Sequence, residues 1–162
     1  MSLNPSEHRA WSMFFVAHGL MVKRIDKAMA ASGVVSLEIY DVLLHLEMAE
    51  EQRMRMSELA DAVLLSRSGL TRLADRLEKD GLIERQACPG DRRAIHVALT
   101  AKGLAERVRA WPVFEKVIVS DFAANLEPGD ADQVATIFGR LCEQLGFKWI
   151  SVASTGCSGN HD

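Results

Sequence analysis

The sequence predicts a mainly α-helical fold with one small β-hairpin, and three observations support this fold class. Residues 6–30 carry apolar side chains at alternating spacings of four and three, the period of an amphipathic helix. Residues 56–103 read as a short helix, a tight turn, a longer helix and a hairpin. Apolar positions then recur at helical spacing to about residue 147. We therefore expect helices on both sides of a compact central unit.

Composition indicates an ordinary globular chain. A length of 162 residues is enough for one well-buried domain. The chain is 48% hydrophobic and 25% charged, as is usual for globular proteins. No apolar run approaches the roughly 20 residues that a membrane span needs, and the first residues do not resemble a secretory signal. The three cysteines are an odd, scattered set, which argues against a disulfide framework and suits a reducing compartment. We expect a cytoplasmic protein.

Charge is distributed unevenly along the chain, although the formal net charge is only −3. Residues 1–50 carry four Lys/Arg and six Asp/Glu, and residues 110–162 carry three Lys/Arg and seven Asp/Glu. Residues 51–109, in contrast, carry twelve Lys/Arg and nine Asp/Glu. The central segment is therefore the only basic one. Local charge at a contact surface matters more for nucleic-acid binding than the total charge does.

The flanking helices are bounded by turn and cap residues. Ser32-Gly33 ends the first helix, and Ser36 starts a second one. Thr100 can cap a long helix in which Pro112 predicts a kink or a restart near Trp111. A last helix follows the break at Pro128-Gly129-Asp130 and runs to about Phe147, and residues from Ser151 onward have the composition of a disordered tail. The broad apolar stripe of the first helix has to be buried, either against this chain or against a second copy.

The central unit contains the most informative pattern. Ser57 is the expected N-cap of a short helix that ends near Leu64, Ser66 caps the next helix, and Gly81 supplies its left-handed stop. The expected buried side of that second helix is Leu70, Leu73, Ala74 and Leu77, and the opposite side is Ser68, Arg72, Asp75 and Lys79.

A hairpin is expected directly after this helix. Residues 82–87 form its first strand, residues 88–92 its turn and residues 93–99 its return strand. In the return strand Ile95, Val97 and Leu99 alternate with small or polar residues, the period of a half-buried strand. A helix of this kind fits a DNA major groove, and a basic hairpin beside it can reach the neighbouring minor groove.

Three segments of this unit resemble the MarR family of bacterial transcriptional regulators. They read S-E-L-A-D-A-V, then L-S-R-S-G-L-T-R-L-A-D-R-L-E-K-D-G-L-I-E-R, then D-R-R-A-I-H-V-A-L-T-A-K-G, and they lie within residues 57–103. The D-x-R hairpin tip followed by L-T-x-x-G is the most specific part. The resemblance implies a winged helix-turn-helix domain in a homodimer with interlaced terminal helices. It also implies a repressor of palindromic sites that responds to a small aromatic acid or an oxidant.

The domain organisation follows from this reading. We expect an N-terminal dimerisation helix in residues 1–35 and a winged helix-turn-helix DNA-binding domain in residues 36–103. C-terminal dimerisation helices are expected in residues 104–148, and a disordered tail in residues 149–162.

The expected DNA-contact residues belong to the second motif helix and to the wing, as the hairpin is called in this fold. Arginine can bond a guanine edge through two donors, and hydroxyls and helix-start amides hold phosphates. Asp91 is expected to support the wing by orienting Arg93 or pairing with Arg76, or to be a purely structural turn carboxylate. Asp75 is left outside the contact set because pairing with Arg72 or Lys79 would neutralise it. The expected contacts are Arg67, Ser68, Gly69, Thr71, Arg72, Arg76, Arg92 and Arg93.

An effector pocket is expected between the first helix, the second helix and the motif domain. His18, His45 and Arg109 are the candidates to meet an aromatic or carboxylate effector there; the alternative for both histidines is an ordinary, partly buried side chain. Cys88 in the wing turn is the candidate redox residue, but the first helix lacks the cysteine of the family's oxidant sensors. We expect no metal site and no cofactor, because no histidine pair has zinc-site spacing.

The sequence therefore predicts a binding protein and not an enzyme. It contains no nucleophile elbow, phosphate-cradling glycine loop or H-E-x-x-H motif. The leading interpretation is a homodimeric, ligand-responsive repressor that places residues 67–80 in the major groove of a palindromic operator. Two alternatives stay open, namely a redox or metal sensor on the same scaffold and a winged-helix module that binds proteins.

Overall fold

A computed structural model describes residues 2–63, 67–88 and 91–147, and the side chains of residues 67, 88 and 91–94 lie outside what it describes. Six α-helices and three strands make up this part of the chain. The helices are α1 (Pro5–Ala31), α2 (Leu37–Met48), α3 (Met56–Ala62), α4 (Arg67–Lys79), α5 (Ala101–Val117) and α6 (Asp130–Gln144). The strands are β1 (Arg53–Arg55), β2 (Ile83–Cys88) and β3 (Asp91–Leu99). The prediction of a mainly helical fold with a small hairpin is confirmed.

The strands form one antiparallel sheet in the order β1-β3-β2. β2 pairs with β3 from Ile83 opposite Leu99 to Ala87 opposite Ile95, with an irregular register at Cys88. β1 pairs along the other edge of β3, with Met54 opposite Val97. Strand β1 was not predicted, because three residues are too few to show a period. The strands also extend to Cys88 and Asp91, so the predicted turn over residues 88–92 was too long.

The α4 helix is held by an apolar core shared by α2, α3, α4 and the sheet. Leu70 and Leu77 on α4 are fully buried, as are Leu59 on α3 and Val97 on β3. Burying side chains of this size contributes about 1.5–3 kcal/mol each, before the entropy of ordering them is subtracted. This core sets which side of α4 faces outward.

A second, smaller core joins the C-terminal half of α1 to α2 and α5. Ile25 and Met29 on α1 and Ala110 on α5 are buried around Tyr40 of α2. The Tyr40 ring meets the Phe114 ring edge-on, with 4.9 Å between centroids. Burial raises the pKa of Tyr40 to about 12, against the opposing effect of Arg107. The Tyr40 hydroxyl therefore stays protonated at neutral pH.

The L-T-A-K-G segment forms the joint between the end of α4 and the start of α5. Thr100 Oγ1 accepts a hydrogen bond from the Gly103 N–H at 3.0 Å and lies 2.8 Å from the Gly81 carbonyl oxygen, to which it can donate. Gly81 has a φ of 71°, the left-handed conformation that ends α4. Lys102 Nζ donates to the Asp80 carbonyl at 2.7 Å. The predicted roles of Thr100 and Gly81 are confirmed.

Pro112 lies inside a continuous α5, so the predicted restart near Trp111 is wrong. A proline has no N–H to bond the carbonyl of residue i−4, here Val108, at a cost of about 3 kcal/mol. Both Pro112 and Val108 are exposed, so water can reach the freed carbonyl. Ala110 and Phe114, on either side of the proline, pack into the second core, and α5 runs without a break through Pro112. The helix changes to a π-helical turn only at Ile118–Phe122.

Five further local predictions differ from the structure or lie outside the described residues. Ser57 is not an N-cap, because β1 leads directly into α3 and Arg55 occupies that position, with its N–H bonded to the Glu58 carboxylate at 3.1 Å. The last helix ends at Gln144, three residues earlier than expected. The α3 helix ends at Ala62, two residues before the predicted end near Leu64, and Val63 is its C-cap. The predicted cap at Ser66 and the predicted tail from Ser151 onward fall outside the described residues. In the described part of the chain, no helix is both long and apolar enough to cross a membrane.

Replacing Gly103 by alanine should destabilise the protein. A Cβ there would lie 2.1 Å from the Leu82 carbonyl oxygen and 2.9 Å from Leu99 Cδ1, so the joint would have to move, at a cost of about 1–3 kcal/mol. Chemical denaturation measures the change in the free energy of unfolding. Gly19→Ala is the control, since nothing lies within 4 Å of its new Cβ. Equal stability of the two variants would contradict this account of the joint.

Candidate nucleic-acid interface

The α4 helix presents a polar face to solvent because its leucines are buried on the other side. Leu70, Leu73, Ala74 and Leu77 are all buried, as the sequence predicted. The opposite side is exposed at Ser68, Thr71, Arg72, Asp75, Arg76 and Lys79, and Gly69 is half-exposed. A side of this chemistry, near the start of a helix, offers donors to both base edges and phosphates.

Two of the expected α4 contacts differ in their surroundings. Arg72 is exposed, and among the described residues it has no carboxylate within ion-pair distance. Arg76 Nη2 lies 3.7 Å from the Glu38 carboxylate of α2, and both side chains are about half exposed. An exposed pair of this length contributes little to stability, so the Arg76 guanidinium can exchange Glu38 for a phosphate. Arg76 was also a possible partner of Asp91, whose side chain lies outside the described residues.

Asp75 has a different partner from the expected Arg72 or Lys79. Its carboxylate accepts from Arg85 Nη2 of β2 at 2.6 Å, and Arg85 Nη1 bonds the Glu78 carboxylate at 2.7 Å. Burial lowers the pKa of Arg85, but hydrogen bonds to the two carboxylates outweigh that effect and the pKa is raised. Helical spacing could not reveal this contact, since Arg85 follows Asp75 by ten positions on another element.

The β2–β3 wing extends beyond the core. Val97 is fully buried, whereas Ile95, two residues nearer the tip of the hairpin, is 45% exposed. The burial pattern of β3 therefore departs from the predicted alternation: Ile95 is exposed, Val97 and its neighbour Ala98 are both buried, and Leu99 is half-buried. The backbone of Asp91, Arg92 and Arg93 belongs to β3, but their side chains, like that of Arg67, lie outside the described set. Their expected contacts stay predictions.

The three effector candidates lie on different helices and have local partners. His18 is exposed on α1, with its ring 6.2 Å from that of Phe14. Arg109 on α5 donates to the Gly33 carbonyl at 3.1 Å and to Glu106 at 2.6 Å. His45 on α2 bonds Asp41, four residues earlier. The assignment of these residues to one pocket stays a prediction.

Two cavities lined by described residues adjoin these helices, and none of the three candidates lines either one. The first, about 320 Å³, lies in the expected place between α1, α2 and α3, and it carries the carboxylates of Asp26, Glu38 and Asp41. The second, about 640 Å³, lies between α1 and the end of α5. Arg24, Lys27 and Lys116 line it above an apolar floor that includes Val113 and Val117, and Asp121 pairs with Arg24. Only the second cavity has the charge that would attract a carboxylate.

Oxidation and metal chemistry have little support in the described residues. No group of three His, Cys, Asp or Glu side chains that could hold a metal ion occurs there. Cys142 on α6 is a half-buried free thiol. The side chain of Cys88, the expected redox candidate, lies outside the described residues.

A helix with an exposed polar face, set between a short preceding helix and a three-stranded sheet, defines a winged helix-turn-helix protein. The sequence profile of the MarR family matches residues 36–94. Transcriptional repressor MprA of Escherichia coli K12 is 39% identical over 125 residues, which cover 77% of this chain and 70% of that protein. The chain belongs to the MarR family of transcriptional regulators.

Solved structures agree with this assignment over most of the chain. AbsC, a MarR family regulator from Streptomyces coelicolor, has a TM-score of 0.81 at 28% identity, covering 91% of this chain and 99% of that one. Sco3205 from the same organism, solved in complex with DNA, has a TM-score of 0.82 at 26% identity, covering 90% and 91% respectively. The resemblance stated from residues 57–103 is confirmed.

The pairing of His45 with Asp41 makes stability depend on pH. The Asp41 side chain raises the pKa of His45 above 6.5, while burial opposes this and the Asp41 carbonyl adds to it. A histidine whose pKa is higher in the folded state than in the unfolded state stabilises the fold at low pH, where it is protonated. This stabilisation is lost as the pH rises through the pKa of the folded state. His45→Gln should therefore reduce the free energy of unfolding more at about pH 5.5 than at about pH 8.5.

Denaturant titrations at the two pH values measure this difference. In an Asp41→Asn background the same substitution should show a smaller dependence on pH, because the carboxylate is gone. An equal loss of stability at both pH values in the wild-type background would rule out the proposed coupling.

Proposed function

We propose that this protein is a homodimeric, DNA-binding transcriptional repressor that reads a palindromic operator and responds to a ligand. The observation that carries the proposal is the outward face of α4, where Arg72, Thr71 and Ser68 are exposed beside a hairpin that reaches past the core. Support comes from the relatives, since MprA is named a repressor and Sco3205 was solved in complex with DNA. In this proposal α4 enters the major groove and the wing reaches an adjacent minor groove.

The dimer is supported by apolar surface that this chain leaves uncovered. On α1, Trp11 is 56% exposed and Phe15 is 65% exposed. On α6, Ile137 and Leu141 are exposed as well, and so is Leu145 directly after it. The two helices meet where the Phe14 and Phe138 rings lie 5.0 Å apart, so their apolar sides form one surface. Large exposed apolar patches mark interaction sites, and a second copy supplies a complementary patch through two-fold symmetry.

Two-fold symmetry determines the form of the operator. Two copies of α4 related by a dyad read inverted half-sites whose centres are about 10 base pairs apart. A ligand that alters the spacing of the two helices then changes operator affinity, provided that it binds one spacing better than the other. The cavity between α1 and α5 is suited to such an effector, because its cations favour a carboxylate and it adjoins α1, one of the two helices of the proposed dimer surface. His18, His45 and Arg109 stay the residues predicted from sequence for this role.

Removing an interface arginine should weaken operator binding. A duplex recovered by selection from random DNA should be palindromic, and Arg72→Ala and Arg93→Ala should each reduce affinity for it by about tenfold or more. Electrophoretic mobility shift or fluorescence anisotropy measures the dissociation constants over a range of salt concentrations. The wild-type affinity should fall steeply with added salt, because each neutralised phosphate releases counterions.

Arg140→Ala is the matched control for these variants, since Arg140 is an exposed arginine on α6. Its affinity should equal that of the wild type. Wild-type binding that is weak and independent of salt would instead favour the protein-interaction alternative, and the repressor proposal would be abandoned.

A charge placed on the apolar side of α6 should dissociate the dimer. Leu141 is partly exposed among apolar neighbours, so Leu141→Glu would desolvate a carboxylate in the proposed interface. Sedimentation velocity should then show a lower-mass species for this variant at concentrations where the wild type is dimeric. Thr136→Glu, which places the same carboxylate on the opposite side of α6, should leave the mass unchanged. A wild type that sediments as a monomer would refute the dimer.

A further inference from the structure

Two carboxylates are exposed on the α4 helix: Asp75 lies on the side that the proposed function directs toward DNA, and Glu78 lies at the edge of that side. The Asp75 side chain is 61% exposed and that of Glu78 is 39% exposed. Beside a duplex, free carboxylates at these positions would repel the phosphates. Neither is free in the structure, because Arg85 of β2 binds both.

Arg85 contacts α4 along more than one turn. In addition to its bonds to Asp75 and Glu78, its Nη2 lies 3.4 Å from the Thr71 carbonyl oxygen. The backbone N–H of Arg85 also donates to Glu78 Oε1, at 3.1 Å. Positions 71, 75 and 78 follow one line along a helix, so Arg85 is bound to a strip of α4 through both its side chain and its main chain.

These contacts need the geometry of arginine. A guanidinium is planar and carries five donors in fixed directions, whereas a lysine ammonium is a compact charge on a flexible stem. The Arg85 side chain is 22% exposed, so its bonds are partly shielded from water. Bonds between a cationic donor and a carboxylate are among the stronger hydrogen bonds in proteins. Lysine at this position could keep the charge but not all of the directed bonds.

Because Arg85 belongs to β2, its contacts connect α4 to a strand of the wing. The apolar core holds α4 to the sheet only on its inner side, through residues such as Leu77 and Ile83. Arg85 lies on β2, directly opposite Val97 and two residues before Ala87, beyond which the hairpin leaves the core. It therefore ties the outer side of α4 to the strand that continues into the wing.

We propose that Arg85 is a positioning residue for DNA recognition, which fixes α4 relative to the wing and holds the Asp75 and Glu78 carboxylates in internal ion pairs. This inference rests on the proposed DNA-binding function. Arg85 makes no base contact in this scheme. It acts through α4 and β2, because the helix and the wing have to reach adjacent grooves at the same time.

The test compares Arg85→Gln and Arg85→Lys with the wild type in binding to the selected operator and to a scrambled duplex of equal length. Arg85→Gln should lower operator affinity about tenfold and reduce the ratio of operator to scrambled affinity. Arg85→Lys should fall between Arg85→Gln and the wild type, since it restores the charge without the fork of donors. The slope of affinity against salt should change little, because the phosphate-contacting residues are intact.

Arg53→Gln is the matched control. Arg53 is an arginine of the same sheet, on β1, and it pairs with Glu51 outside α4. Its operator affinity should equal that of the wild type. Circular dichroism and thermal unfolding show whether each variant is folded, and Arg85→Lys keeps the test available if Arg85→Gln does not fold.

The outcomes separate this inference from the proposed function. If the wild type does not distinguish the operator from scrambled DNA, the proposed function fails. If the wild type does distinguish them and Arg85→Gln keeps the same ratio, the positioning role is refuted. Full recovery of the wild-type ratio by Arg85→Lys would also refute it, because charge alone would then be sufficient.

Discussion

The burial of the α4 leucines is the constraint on which the rest of this structure depends. Leu70 and Leu77 are packed without any solvent exposure against α2, α3 and the sheet, which leaves α4 only one orientation. The polar interface depends on that orientation, because rotating the helix by about 180° about its axis would bury Arg72 and expose leucine. A core this closely packed tolerates little rearrangement, so the polar face is presented in a fixed direction.

Polar contacts also join α4 to the strands and to α5 outside the apolar core. Thr100 and Gly103 join the end of α4 to α5 at the base of the hairpin, and Arg85 joins its outer side to β2. These contacts are polar and directional, whereas the core is apolar and non-directional. The core gives the domain its stability, and the directed bonds set the angle between helix and strand.

The two apolar cores also divide the molecule by role. The larger core supports the helix and wing that face DNA in the proposed function, while the smaller one joins α1 and α5 around Tyr40. Beyond the smaller core, the start of α1 carries exposed apolar side chains and no residue of α6 is fully buried. Because α5 begins at the base of the wing and ends in the proposed dimer region, it connects the two. A ligand between α1 and α5 would act on that connecting helix.

The sequence by itself determined the order of the helices, the buried and exposed sides of α4, and the turn at Gly81. These properties depend on period and on local backbone preferences, which act between residues close in the chain. Only the tertiary structure decided the partner of Asp75, the pairing of β1 with β3 and the continuity of α5 through Pro112. Each of these depends on groups that are distant in sequence or on packing that outweighs a local preference. A pattern of neighbouring residues carries no information about such contacts.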